Sequence, residues 1–176
     1  MKIDMKYNEN IEKVLNQLSK GAFLTVSDGT NINTMTIGWA NIGIIWNKPV
    51  IMVMVRKSRH TYSIMENAKD FTVSLPINVD VQKSLVYCGS YSGRDVDKIK
   101  ESQLSLKKST KVISPIISQC DMHYECKIVH SQELAPQNLE ANIKDRFYIN
   151  DDYHVLYFGE IVESYMINQW SKMTLV

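Results

Sequence analysis

The segment Pro49-Val50-Ile51-Met52-Val53-Met54-Val55-Arg56-Lys57-Ser58-Arg59-His60-Thr61-Tyr62 decides how the chain is read. The run from Val50 to Val55 is apolar on both faces, which predicts a central strand covered on both sides. It stops at Arg56. From Ser58 or Thr61 the pattern turns helical, with Tyr62 and Met65, and further along Ile64 and Ala68, on the inner side. A buried strand thus delivers the chain to a helix entrance carrying the cations Arg56, Lys57 and Arg59 and the hydroxyls of Ser58 and Thr61. A helix start offers free N–H groups and the positive end of a dipole. Together these suit a dianionic phosphate. The competing reading is a solvated strand-to-helix turn with ordinary capping.

Upstream, Ile11, Val14, Leu15 and Leu18 fall at helical spacing, with Asn8 or Asn10 to cap the start and Gly21 to close the end. Ala22 to Val26 is rich in strand formers, and Ser27-Asp28-Gly29 reads as a turn. Asn33-Thr34-Met35-Thr36-Ile37-Gly38-Trp39 alternates, with Met35, Ile37 and Trp39 on one face and Thr34, Thr36 and Gly38 on the other. Gly38 permits close approach of a ligand to the backbone. The threonines either meet the edge of a planar heterocycle or face water.

Downstream, Phe71 to Leu75 is a strand ended by Pro76, and Val79 to Tyr87 a short helix. Cys88 to Arg94 reads as a loop, and Asp95 as the cap of a helical stretch through Ile99. Cys120, Met122, Tyr124, Cys126 and Ile128 share one strand face. Asp121, His123, Glu125 and Lys127 share the other, so Cys120, His123 and Cys126 do not converge on one metal ion and His123 is expected to be exposed. Gln137 to Phe147 has helical character, and Val155 to Met166 is a long closing strand. About seven strands with helices only at the periphery predict a mostly β, barrel-like domain rather than alternating βαβ units.

The 176 residues fit one domain, 1–176, and 44% hydrophobic with 22% charged residues is ordinary for a globular chain. A net charge of +1 gives no field suited to nucleic acid. The loose basic stretch Lys98, Lys100, Lys107, Lys108, Lys111 lacks interleaved aromatics and reads as a solvated face. The three cysteines, Cys88, Cys120 and Cys126, outline neither a disulfide framework nor a redox dithiol. The N-terminus lacks the apolar core of a signal peptide, and no run spans a bilayer. The expectation is a cytoplasmic protein with no membrane and no nucleic-acid partner. None of the four histidines sits in a hydrolytic or metal-binding frame, and Asp151-Asp152 reads as a solvated turn.

Taken in order, five segments resemble the flavin reductase-like, FMN-binding split-barrel family, and within it the flavoredoxin branch. They are Asn33 to Trp39 (an "MTxGW" strand), Val55 to Thr61, Phe71 to Pro76, Cys88 to Lys98 ("CGxxSGRDxDK") and Tyr157 to Val162. The resemblance runs from about Gly21 to Met166. It implies a six-stranded Greek-key split β-barrel with peripheral helices, a homodimer, and FMN near the dimer interface. By carry-over, Thr34, Met35, Thr36, Gly38 and Trp39 line the isoalloxazine and ribityl chain. Arg56, Lys57, Ser58, Arg59 and Thr61 hold the phosphate, and Tyr91, Ser92 and Lys98 reach the flavin. Catalytic side chains are then not required, because the cofactor carries the electron chemistry. The implied activity passes electrons from NAD(P)H or a small carrier through FMN to free flavin, a metal complex or a protein. Two alternatives stand beside it. One is an FMN-binding electron-transfer protein with no NAD(P)H activity of its own. The other is a split barrel holding haem or another phosphorylated heterocycle.

Overall fold

The structure is a computed structural model, and it describes residues 1–167. The strands of the main sheet are β1 (Lys2–Asp4), β2 (Ala22–Ser27), β3 (Ile32–Ile37), β4 (Ala40–Ile45), β5 (Lys48–Arg56), β6 (Asp70–Leu75), β9 (Met122–Glu133) and β10 (His154–Ile167). A separate ribbon pairs β7 (Leu106–Lys107) with β8 (Ile116–Ile117). Helices α1 (Ile11–Leu18), α2 (His60–Met65), α3 (Gln82–Ser90), α4 (Lys98–Glu101) and α5 (Ala141–Phe147) lie around the sheet.

The hydrogen-bonded path is β3-β2-β6-β9-β10-β5-β4, with β1 on the far end of β10, and every pairing is antiparallel. Strands β3 and β4 are the two ends of that path, yet only Gly38 and Trp39 separate them in the chain. So short a link spans at most about 11 Å. The sheet must therefore curl until its ends meet, and since β3 and β4 do not pair, the seam stays open. This is a split barrel, and the strand order is not the sequential one of an up-and-down barrel. Seven strands form the path, one more than the resemblance implies, and β1 adds an eighth.

The barrel interior is filled by Leu24, Val26, Ile51, Val53, Val55, Phe71, Val73, Leu75, Tyr124, Cys126 and their neighbours, and α1 seals it with Val14 and Leu18. A second apolar cluster of Phe23, Leu85, Cys88, Leu104, Ile117 and Cys120 lies under α3. Gly159 on β10 is a close approach: a methyl there would meet the Phe71 ring and come within 2.8 Å of Cys126 Cβ.

Several expectations are corrected. Strand β5 is fully covered on one face and partly on the other: Ile51, Val53 and Val55 are buried, while opposite them Val50 is buried but Met52 and Met54 are half-exposed. Both faces of β9 are buried along its first half. His123 is fully buried, with Nδ1 3.0 Å from Ser74 Oγ and Nε2 3.1 Å from the Cys120 carbonyl. It was read as exposed because strand alternation says nothing of what lies outside the barrel. Here the 108–117 segment covers that face. The segment is pinned by buried carboxylates, with Asp70 accepting from the Ile113 and Ser114 amides and Glu125 from those of Thr110 and Lys111. Helix α3 continues through Cys88-Gly89-Ser90, which composition had assigned to a loop, because Cys88 anchors it in the second cluster. The cap of α4 is Asp97, whose carboxylate accepts from the Lys100 amide at 3.1 Å, and not Asp95. Lys98 leaves the solvated basic stretch: it is 5% exposed and donates to the Cys88 carbonyl at 3.1 Å.

Candidate functional site

Two cavities adjoin where the barrel is split, and Met35 and Arg59 line both. The first, of about 190 Å³, is bordered by the β3–β4 link (Met35, Thr36, Ile37, Gly38, Trp39) and by Met54, Arg56, Arg59 and His154. It exists because β3 and β4 diverge there. The second, of about 230 Å³, lies between the start of α2 and the loop after α3, and Ser58, Thr61, Tyr91, Ser92, Arg94 and Lys98 border it.

The first cavity mixes apolar and polar lining. Trp39 stands at its mouth, 42% exposed, with Phe147 edge-on at 5.1 Å and His154 tilted against it at 5.3 Å. Thr36 lines the cavity, but its hydroxyl donates to the Leu85 carbonyl at 2.6 Å and so fastens β3 to α3. Thr34 lines neither cavity. It is fully buried and bonded to Thr25 Oγ1 and the Leu24 carbonyl, so neither a ligand contact nor a water-facing threonine describes it.

The second cavity is cationic. Arg59 donates to the Gly89 carbonyl at 3.2 Å, Arg94 to the Ser58 carbonyl at 2.8 Å, and Lys98 to the Cys88 carbonyl. Among the described residues none of the three is ion-paired. The only acid on the wall is Asp95. The excess of positive charge is felt locally. Burial holds the Lys98 ammonium below its usual range, with Arg59 pushing the same way. His60 is likewise lowered, by burial first and then by Arg94 and Lys98. An anion here would relieve that crowding.

The cations of the helix entrance are thus divided. Arg59 faces both cavities. Lys57 turns away onto Glu133 at 2.7 Å and borders neither. Arg56 spends its guanidinium on the carbonyls of Asp152 (2.6 Å) and Phe147 (2.8 Å), clasping the strap that links α5 to β10. The Ser58 hydroxyl and amide, expected for phosphate, both donate to the Asp152 carboxylate, at 2.6 and 3.2 Å. Thr61 is buried and accepts from Asn33 Nδ2 at 2.8 Å. Tyr91 packs on Tyr87 at 4.4 Å, and Ser92 Oγ accepts from the Arg94 amide at 3.2 Å.

Nine residues of the two walls lie outside the set the sequence points to, Met54, Arg94 and His154 among them. Arg94 stands inside a quoted motif. Gly93 brings it in, because a methyl at Gly93 would collide with Asn33 Oδ1 and lie 2.9 Å from His60 Cδ2. His154 is placed by register alone, opposite Arg56 across the β10–β5 pair.

A slot bordered by Trp39, Met35 and Met54 and continuous with a cationic pocket fits a molecule with a flat ring at one end and a phosphate at the other. The signature of the flavin reductase-like domain matches residues 16–176. The chain belongs to the flavin reductase-like family. It is 28% identical to an uncharacterised protein of Archaeoglobus fulgidus over 117 residues, 66% of this chain and 65% of that one, so it spans less than two thirds of that relative. Its fold is that of the flavoredoxin from Methanosarcina acetivorans (24% identity, 85% of this chain and 69% of the other, TM-score 0.66). It is also that of the flavoredoxin of Desulfovibrio vulgaris (23%, 84% and 69%, TM-score 0.65). An FMN-binding domain of a flavin reductase-like enzyme from Shewanella baltica shares it too (16%, 94% and 77%, TM-score 0.66).

Proposed function

We propose that the chain binds FMN across the two cavities and is an FMN-dependent oxidoreductase accepting electrons from NAD(P)H or a small carrier. The observation that carries the reading is the junction at Met35 and Arg59, where the slot beside Trp39 opens onto three cations that have no carboxylate partner. Met35, Gly38, Trp39 and Met54 would border the ring. Arg59, Arg94, Lys98 and Ser92 would hold the phosphate, with Thr61 beneath them and Tyr91 at the rim. When bound, the flavin supplies the hydride and electron transfer chemistry. The residues exclude water with Trp39 and Phe147, fix the ring by the β3–β4 link, and neutralise the phosphate with fixed cations. Ser58 and Arg56 are assigned to the strap that covers the slot.

The homodimer is part of this proposal. Met52, Met54, Leu156 and Phe158 lie half-exposed on the outward face of β5 and β10, and Trp46, 59% exposed, leans over Phe158 at 6.2 Å. Ile44 on the adjoining hairpin is 57% exposed. A second copy would cover this face and border the slot at Met54. Among the described residues no helix is long and apolar enough to cross a membrane, and Cys88 and Cys126 are buried thiols in no disulfide. Those thiols support the proposal of a reducing, cytoplasmic location.

The test is the colour of the purified protein, FMN titration by fluorescence quenching, and NADH or NADPH oxidation with added FMN. FMN binding with turnover supports the reading. FMN binding without turnover leaves the electron-transfer alternative, and a colourless protein that ignores FMN refutes both.

A further inference from the structure

We propose that His154 is a neutral hydrogen-bond donor to an electron-rich carbonyl-type oxygen held in the slot, and that Tyr148 fixes the tautomer that makes it one. His154 opens β10 opposite Arg56 and lies on the wall of the slot. Its Nδ1 is 2.8 Å from the Tyr148 hydroxyl. Tyr148 is 3% exposed and held on both sides, stacked on Tyr153 at 4.9 Å and under the Arg56 guanidinium at 5.1 Å. A neutral phenol has a single hydrogen. Among the described residues its named hydrogen-bond partner is Nδ1; in the proposed arrangement the phenol donates to Nδ1, which leaves the ring hydrogen of His154 on Nε2.

Nε2 has no protein partner among the described residues, and no buried side-chain nitrogen or oxygen there is left unsatisfied. Nε2 therefore reaches open space. His154 borders two cavities, the slot and one of about 150 Å³ beside Leu134 and Tyr153, and the imidazole's contact with the Trp39 ring at 5.3 Å sets it on the slot side. The groups facing the imidazole are Arg56 from β5, Arg59 at the start of α2, and Asp152 and Tyr148 from the strap. Burial, then Arg56, lower the imidazole to about 4, with Asp152 opposing and Arg59 reinforcing. At neutral pH the ring is uncharged and still a donor. A neutral imidazole is a workable electrophile because it polarises an oxygen without itself titrating. No carboxylate lines the slot, so every side-chain polar group that reaches it from His154, Arg56 or Arg59 is a donor. The slot accordingly takes an oxygen on which negative charge accumulates, either a carbonyl of the flavin ring or one of the electron acceptor. This choice of sources rests on the proposed FMN reading. The tautomer does not.

Long-range proton–nitrogen NMR on the full chain from about pH 5 to about pH 8 reads the tautomer directly, without cofactor. The expected result is a neutral Nε2–H imidazole throughout, and in Tyr148→Phe a mixture of tautomers with protonation moved to higher pH. An Nδ1–H form or an imidazolium at neutral pH, or a Tyr148→Phe spectrum unchanged in tautomer, would overturn the proposal. FMN titration and acceptor reduction then separate the sources. If the oxygen belongs to the flavin, His154→Leu weakens FMN about tenfold and His154→Gln, which keeps an N–H, restores part of it. If it belongs to the acceptor, FMN affinity is unchanged while kcat/KM falls about 10²-fold, again with partial rescue by glutamine. No change in either measurement refutes the donor role. Failure of the wild-type chain to bind FMN refutes the functional reading, and the tautomer still decides this one.

Discussion

Replacing Arg59 and Arg94 by alanine, singly and together, tests where the phosphate lies. Both guanidiniums line the cationic cavity, and each is anchored through one nitrogen to a backbone carbonyl, so the rest of the fork is free for an anion. A charge-assisted hydrogen bond is worth roughly 1.5–3 kcal/mol. Both side chains are exposed, and solvent screening holds each to the lower end of that range. At about 1.4 kcal/mol per factor of ten, each single change should weaken FMN about tenfold and the pair by more than tenfold but less than about a hundredfold. The two bind one group, so the double variant will fall short of strict additivity. Lys57→Ala is the internal control. Its ammonium is engaged by Glu133, and its loss should move FMN affinity less than about twofold. The assay is quenching of flavin fluorescence with FMN and with riboflavin at two salt concentrations. Riboflavin has no phosphate and should bind all four proteins alike. Equal losses for the two flavins, or an unchanged FMN affinity in the double variant, would place the phosphate elsewhere.

Gly93→Ala should weaken FMN without touching it, because the methyl collides with Asn33 and His60 and moves Arg94; titration shows this, with little change in Tm. Gly159→Ala should cost about 1–3 kcal/mol by overpacking against Phe71 and Cys126, a fall of roughly 2–9 °C in Tm, with flavin affinity retained. Acid should destabilise the fold through histidine. Burial lowers His123 to about 3 and His154 to about 4 in the folded chain. Each unfolded histidine therefore binds a proton first as pH drops below about 6.5. The stability these residues hold is complete above that pH and declines toward their folded values by up to about 1.4 kcal/mol per pH unit each, visible in urea melts at pH 7.5 and 5.5. His123→Gln should flatten part of that slope, and a slope that persists in full would assign the protons to other groups.

The barrel was legible wherever one physical signal acted alone. Alternation located β3, a run of strand formers located β6, and the closing strand declared itself by length. The failures lie where two layers meet. Alternation shows that His123 and Cys126 oppose each other, but not that the 108–117 segment, which runs from Lys108-Ser109-Thr110-Lys111 to Ile116-Ile117, folds over the His123 face. Its burial comes from carboxylates accepting backbone amides, a pattern with no spacing in the sequence. The six-residue apolar run predicts cover on both sides of β5, while Met52 and Met54 stay half-exposed on its outward face. Apolar composition records the need for cover and is silent on whether this chain or another supplies it.

The helix entrance shows how composition and geometry part company. Arg56, Lys57 and Arg59 follow one another closely, and as a composition they form one cationic patch. The strand they leave imposes alternation, so consecutive residues point apart, and the turn into α2 then swings Arg59 over the junction of the two cavities. Lys57 meets Glu133, Arg56 clasps the strap, and Arg59 alone of the three borders the cationic cavity. The missing charge is recovered from Arg94 and Lys98, residues distant in sequence that reach the cavity only because Gly93 packs without a side chain against Asn33 and His60. The same division explains the strap. Arg56 binds both of its ends, Ser58 holds Asp152, and the strap in turn carries Phe147 onto Trp39 and Tyr148 onto His154. Arg56→Ala should therefore act on the ring end of the site, loosening Phe147 from Trp39 and the Tyr148–His154 pair, and should weaken riboflavin and FMN by the same factor. A selective loss of FMN in that variant would return Arg56 to the phosphate and break the division argued here.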